Sequence, residues 1–482
     1  MTAIEDLARG LIVAGISGVR DPNLSSFGGY LLFASDGAAL SEVRALTDAL
    51  RTRGSQPPPL IAIDQEGGSV RRLREGVEPM PPMMALGAAD DVELARRAGE
   101  QTAFDLRRAG CTLDFAPVLD LAVDPGNTAI GTRSFGADPA QVAELGGAFG
   151  RGLRAGGILP CYKHFPGHGP TAVDSHHALP TIDADEATLR ARDLVPFAAV
   201  ASQAPAMMTA HVVARAFDSE RPATLSPRVA TTLLRDELGF RGALFTDCLE
   251  MDAVASRGAG ENAVAALHAG ADLLIFSHHP EAANSALQAI CAAAEDGRLA
   301  RGRLEEAHAR VARLRAAASP VLPLDAPPPH PGVGREIARR AVTLLRGIPH
   351  ADPIASIVVS LGGTALVLDR EAPAMETLDA PIVPTEEDVR AVLAALARSQ
   401  RRPILLARRA HLYPQQGAAI DAILDCYPDA LVVLLLEPFG AGLFGNARHL
   451  VAAYGDDPAS IGGLADVIFG GSLASGTLPV SL

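Results

Sequence analysis

What most restricts the fold of this chain is an alternation that runs through its first two thirds. From residue 28 to about 318, short apolar runs alternate with segments of helical spacing. The candidate strands are 29–34, 60–64, 112–117, 158–162, 206–210, 243–246 and 272–276. An earlier run, 11–16, reads as an eighth strand or as part of a first helix, and so short a run has no periodicity to decide between them. The helices carry clear punctuation. Asp138-Pro139 supplies an N-cap and a first-turn proline, and Gly156 a stop; Ser226-Pro227 with Gly239, and Asp90 or Asp91 with Gly110, repeat the arrangement. Strand–helix units in series imply a parallel sheet. Seven or eight units in roughly 300 residues suit a (β/α)8 barrel, with an open doubly wound sheet as the alternative.

Residues 319–334, SPVLPLDAPPPHPGVG, are rich in proline and read as a linker. Beyond it, strands are expected at 357–360, 365–368, 404–406 and 430–435, with a helix at 386–399 between two of them. The expected α/β architecture is therefore a catalytic barrel over 1–318 and a small α/β domain over 335–482.

Acidic residues outnumber basic ones, 56 to 42, for a net charge of −14. With no basic run, nucleic acid and anionic membrane are poor partners. No apolar stretch reaches the length of a membrane span, and MTAIEDLARG lacks the parts of a signal peptide. The expectation is a soluble, cytoplasmic protein of undetermined oligomeric state. Five scattered cysteines (Cys111, Cys161, Cys248, Cys291 and Cys426) fit a reducing compartment and form no CxxC metal pattern. One count is more pointed: of the 42 basic residues, only Lys163 is a lysine. A lone exception suggests a place where a compact ammonium is needed and a planar fork will not serve.

In a barrel, catalytic groups gather where strands end and the following loops begin. Asp64, the segment Lys163-His164-Phe165-Pro166-Gly167-His168-Gly169, His211 and Asp247 all follow candidate strands. The densest stretch is 163–180, KHFPGHGPTAVDSHHALP, with four histidines, an aspartate and the lone lysine. A metal site built on His164, His168, Asp174, His176 and His177 would need helical spacing, which Pro166 and Gly167 oppose. A polar surface loop is the bland reading. The favoured one is a proton-transfer loop, in which Asp174 orients His176 two residues on. Asp247, straight after an apolar strand, reads equally as a helix cap or a nucleophile. Glu250 and Asp252 suit the first turns of the next helix.

These motifs together resemble bacterial glycoside hydrolase family 3 β-N-acetylhexosaminidases, the NagZ type. The resemblance rests on 163–169 followed by Asp174-Ser175-His176, on IDQEGGSVRRL (63–73), GTRSFG (131–136) and FTDCLEMDAV (245–254), and on GGYLLFASD near residue 30. It covers about residues 1–318. Further on it is looser, through REIARRAVTLLR and the closing GGSLASGTLPVSL. The resemblance implies a retaining mechanism without cofactor or metal. Asp247 matches the nucleophile, His176 the general acid/base and Asp174 its partner. Asp64, Arg72, Arg133, Lys163 and His164 match residues that hold the terminal sugar. The alternative for Asp64 and Arg133 is an internal ion pair, and for Arg72, beside Arg71 and Arg74, a solvated basic face. Pro170 and His177 depart from the family pattern, and His177 leaves the choice of acid/base less sharp. Glu376, Glu386 and Glu387 are expected to be non-catalytic. With no tryptophan for a long platform, a small exo-acting pocket is expected, and a small glycan or a muropeptide bearing N-acetylglucosamine as substrate. Alternatives are a phosphorylase on the same fold, a family 3 β-glucosidase or xylosidase, a metal-dependent hydrolase and a non-catalytic sugar-binding protein.

Overall fold

The computed structural model describes residues 3–16, 26–33, 39–52, 57–171, 179–362, 371 and 375–482. Eight strands close into a barrel: β1 (Ile12–Ile16), β2 (Gly29–Leu32), β3 (Leu60–Ile63), β4 (Leu113–Asp114), β5 (Leu159–Phe165), β6 (Ala206–Thr209), β7 (Ala243–Cys248) and β8 (Leu273–Phe276). Each pairs in parallel with its neighbours in chain order, and β8 closes on β1 with Ile12 opposite Leu274. The 11–16 run is thus a strand. Helices cover the outer face, so these strands are apolar on both faces and read as near-continuous hydrophobic runs.

The strand ends differ from expectation at the places that matter for chemistry. β4 is short, because Pro117 has no N–H to return to a ladder; single bonds from the Cys161 and Lys163 N–H groups to the carbonyls of Ala116 and Pro117 continue the contact. β5 and β7 are longer than expected. Lys163 and His164 therefore lie within a strand, and Asp247 is a strand residue and not a helix cap; the following short helix, Asp252–Ala255, starts after Met251. Both strands carry an irregularity. The β5–β6 register shifts between Tyr162 and Phe165, and the β7–β8 register between Phe245 and Cys248. Regular strands alternate their side chains between faces, and a bulge re-aims them. Consecutive residues, Lys163 with His164 and Asp247 with Cys248, consequently line one cavity.

The helix punctuation holds in detail. The helix Val92–Ala109 starts at Asp91, whose carboxylate accepts the Leu94 N–H at 2.9 Å, while Asp90 adopts a left-handed φ of 48° and ends the preceding helix. Asp138 caps Pro139–Ala155 by accepting the Gln141 N–H at 2.8 Å. After Ser226-Pro227 the helix Arg228–Glu237 is wound as a π-helix.

Residues 317–332 contain no helix or strand, and the helix Val333–Ala341 takes in the last two residues of the expected linker. The segment is strapped to the barrel. Arg107, Arg44 and Arg108 donate to the carbonyls of Pro320, Leu322 and Leu324, and His330 meets Glu100 at 2.7 Å. A six-stranded sheet follows: β9 (Thr343–Arg346), β10 (Ser356–Leu361), β11 (Glu376–Ala380), β12 (Arg402–Ala407), β13 (Leu431–Leu434) and β14 (His449–Ala452), in the order β9-β14-β13-β12-β10-β11. All pairs are parallel except β9 with β14. The helix Glu386–Ser399 lies where expected, held by a reciprocal Thr385–Asp388 cap. β9, β11 and β14 were not foreseen, and the expected strand 365–368 lies outside the described residues. Among the described residues no helix is long and apolar enough to cross a membrane.

Candidate active site

A cavity of about 560 Å³ opens at the C-terminal ends of the barrel strands. Among the described residues its lining comes from residues 31–278. Asp64, Arg72, Arg133, Lys163, His164 and Asp247 all reach it, whereas His211 is buried outside the lining with its Nε2 2.8 Å from the Cys248 carbonyl oxygen. Asp174, His176 and His177 lie outside the described residues.

The lone lysine sits at the centre of the polar wall. Lys163 is 3% exposed and places Nζ 2.7 Å from Asp64 Oδ1 and 2.6 Å from Glu66 Oε1. Burial lowers the pKa of such an ammonium, but Asp64 and Glu66 outweigh it and hold the group charged, above the ordinary lysine range. A compact donor fits between two carboxylates this close; a planar fork does not. Glu66 also receives Arg133 in a two-pronged pair, Nε at 2.7 Å and Nη2 at 2.8 Å. Burial pushes the Glu66 carboxyl up, yet Arg133 and Lys163 hold it far below the usual range.

The ion-pair alternative is thus realised with unforeseen partners: Arg133 pairs with Glu66, and Asp64 with Lys163. These pairs do not exhaust the donors. Arg133 spends three N–H groups, on Glu66 and on the Ala129 carbonyl. Guanidinium has five and ammonium three, so among the described residues Arg133 keeps two and Lys163 one beside the cavity. Asp64, 18% exposed, has only Arg72, at 3.9 Å, beside its Oδ2 among the described residues. Arg72 is no solvated face: its guanidinium lies 5.3 Å from the Phe33 ring centroid, and that ring packs on His278. Arg71 instead approaches Asp457, in the C-terminal part.

The histidine segment is anchored from below. Fully buried Asp120 accepts the His164 and His168 N–H groups at 3.1 and 2.6 Å, and His164 Nδ1 lies 2.6 Å from it. Burial raises the Asp120 carboxyl, but His164 and His168 bring it below the usual range. Deeper still, Asp114 accepts the Gln65 N–H at 3.0 Å, and its other oxygen has no partner among the described residues. Burial pushes that carboxyl well up, consistent with a neutral acid.

Asp247 lines the same cavity from β7, which stands four strands from β3 in the barrel order. Its Oδ1 accepts the Cys248 N–H at 2.7 Å. Burial raises its carboxyl, and His211, His164, the Cys248 N–H and Lys163 together hold it below the ordinary range. The group is therefore ionised at neutral pH. Glu250 also lines the cavity, where its carboxylate accepts the His278 and His279 N–H groups at 2.9 Å each. Glu376, Glu386 and Glu387 lie outside this lining. Among the described residues no group of three or more His, Cys, Asp or Glu side chains is placed to hold a metal ion.

Comparison with known proteins agrees with this architecture. Residues 23–314 match the glycosyl hydrolase family 3 N-terminal domain. A β-N-acetylglucosaminidase of glycoside hydrolase family 3 from Paenibacillus sp. str. FPU-7 superposes with a TM-score of 0.92 at 34% identity, covering 100% of this chain and 99% of that one. The chain belongs to glycoside hydrolase family 3. A β-hexosaminidase of Stenotrophomonas maltophilia is 43% identical over 272 residues, 54% of this chain and 79% of the relative. NagZ of Neisseria gonorrhoeae, solved with N-trifluoroacetyl-D-glucosamine, aligns at 31% identity and a TM-score of 0.53, over 64% of this chain and 98% of that one.

Two residues of this family 3 site went unassigned in the sequence. Glu66 was legible in principle: two residues after Asp64 in an extended segment, it shares that residue's face. Asp120 is a lone acid in the apolar run PVLDLAV. A carboxylate there needs a buried partner, but nothing local names His164 as that partner.

Proposed function

We propose that this glycoside hydrolase is a retaining exo-β-N-acetylhexosaminidase that releases terminal N-acetyl-β-D-glucosamine through a covalent intermediate on Asp247. The observation that carries the reading is the facing pair of walls: an ionised aspartate at the end of β7 opposite Asp64, Glu66, Lys163 and Arg133, which keep spare hydrogen-bonding capacity. The charged wall fixes the sugar hydroxyls by charge-assisted bonds. Asp247 attacks the anomeric carbon as the bond to the glycosidic oxygen breaks, and His176 gives that oxygen its proton. Water then attacks the same carbon, His176 takes the water's proton, and the ester to Asp247 breaks. Two inversions return the β-anomer. The roles of His176 and Asp174 rest on their place in the sequence motif. A histidine donor has a pKa near neutrality and suits both half-reactions.

The substrate class we assign is a small glycan or a muropeptide from cell-wall turnover, handled in the cytoplasm. The named activities of the relatives and the modest cavity support the substrate; the scattered thiols support the compartment. The test is initial rates on 4-nitrophenyl N-acetyl-β-glucosaminide and the matching β-glucoside, each with and without phosphate. Preferential release from the acetamido sugar, unaffected by phosphate, is expected. Preference for the glucoside, or a sugar 1-phosphate product, would overturn the assignment.

A further inference from the structure

We propose that the C-terminal unit acts as a clamp on the loop that carries Arg133, with Glu437 and Arg409 as positioning residues; this deepens the reading of Arg133 as a sugar-binding group and rests on it. No described residue of that unit lines the cavity. It approaches the site near Arg71, through Asp457, and along the loop after β4, which it grips at both ends.

On one side, His411 Nε2 donates to the Pro125 carbonyl at 3.1 Å. Glu437, 5% exposed, takes Arg409 in a two-pronged pair at 3.0 and 2.9 Å. The Glu437 carboxylate then presses on Gly131, the first residue of the single turn Gly131–Arg133. A Cβ at Gly131 would lie 2.1 Å from Glu437 Oε1, and the residue has φ +44°. Only glycine meets both conditions. Arg409 itself holds a φ of 52°, rare for a residue with a side chain, and such a conformation persists where the surroundings over-determine it.

On the other side the C-terminal tail returns to the barrel. The Pro479 carbonyl accepts the Ala137 N–H at 2.8 Å, and a Cβ at Gly136 would come within 2.5 Å of that same oxygen. Thr477 donates to the Ala88 carbonyl at 2.9 Å. Between the two grips, Arg133 is aimed at Glu66. The same loop also sends Asn127 Nδ2 to the carbonyls of His168 and Gly169, at 2.8 and 2.9 Å. One clamped loop therefore sets both the sugar-binding arginine and the base of the histidine segment. A misplacement of about 1 Å at such a position is enough to cost binding or rate.

The experiment uses the full chain. Glu437→Ala should raise KM for the aryl N-acetyl-β-glucosaminide about tenfold with a much smaller change in kcat, and Glu437→Asp should restore part of the loss. Amide exchange at Arg133 and Ser134 should accelerate in Glu437→Ala while the β10–β13 ladder stays protected. The KM penalties of Arg133→Lys and Glu437→Ala should be strongly non-additive. If Glu437→Ala does not fold, Arg409→Lys keeps the charge, removes the fork and reads the same coupling. Unchanged KM with unchanged loop exchange, or additive penalties, would overturn the clamp. A wild-type chain without turnover would instead sink the hexosaminidase reading, and the exchange comparison would still decide whether the loop is clamped.

Discussion

At the N-terminal end of β8, Asp272 is fully buried among three guanidiniums: Arg235 at 2.7 Å, Arg303 at 2.8 Å and Arg310 at 3.2 Å. At the opposite end of the barrel, Lys163 holds Asp64 and Glu66 at nearly the same distances. The two clusters use the same chemistry, yet they differ in what they leave over. Both Asp272 oxygens are filled, one by Arg303 and Arg310, the other by Arg235 and the Leu244 N–H. That cluster ties β8 and β7 to the helices Arg228–Glu237 and Arg301–Ala316. The Lys163 cluster keeps donors and a carboxylate oxygen beside a cavity. A buried ionic cluster points to a site when its bonding capacity is incomplete and a void adjoins it; a closed one braces the fold. This matches the general division of labour between the two faces of such barrels.

The contrast can be broken in several ways. The largest effect is predicted for Asp247→Ala, with kcat falling by about 10⁴-fold or more, as for other nucleophile removals, and with little change in the unfolding midpoint. Retained turnover would remove Asp247 from the mechanism. Asp272→Ala should do the reverse. Leaving Arg235 without its carboxylate, and Arg303 and Arg310 with Glu306 alone, should cost about 3–5 kcal/mol in denaturant stability, while kcat/KM per folded molecule stays the same. A kinetic defect with normal stability would erase the distinction between the two ends.

Lys163→Arg is the next smaller effect. The fork cannot sit between Asp64 and Glu66 as the ammonium does, and KM should rise about tenfold, the scale of one lost charge-assisted bond. Equal KM would mean that the lone lysine has no special fit. Acid stability gives a subtler reading. Glu66 is depressed below its ordinary value of 4.5, so its contribution is full above that pH and is lost as pH falls below it. Lys163 is raised above its ordinary 10.5, so its contribution is full below that pH and fades as pH rises past it. The stability gap between wild type and Glu66→Gln should therefore be flat through neutrality and shrink in acid. A gap that stays constant through the acid limb would contradict the pairing. The smallest effect concerns Cys248, whose thiol burial pushes up to about 11. Iodoacetamide at neutral pH should leave activity intact despite that residue's place in the cavity lining; rapid inactivation would contradict this.

The barrel was legible because its strands are buried on both faces and appear as apolar runs, each followed by polar residues. The 11–16 run is resolved only by pairing: β1 closes the sheet between β2 and β8. The second sheet was harder to read. β11, with the sequence ETLDA, is a half-exposed edge strand, and β14 has only four residues. Neither length nor hydrophobicity separates them from loops. At the site, residue types after strands marked Asp64, Lys163, His164 and Asp247 well. The strand irregularities that aim them, and the Arg133–Glu66 and His164–Asp120 partnerships, depend on contacts between segments 44–67 residues apart. Local sequence carries no record of those.

The most direct measurement is covalent trapping. A 5-fluoro N-acetyl-β-glucosaminyl fluoride slows both half-reactions while its good leaving group keeps the first accessible. Intact mass and peptide mapping should find one sugar per chain, esterified to Asp247. Turnover without any adduct, or an adduct on another residue, would contradict a covalent mechanism centred on the end of β7.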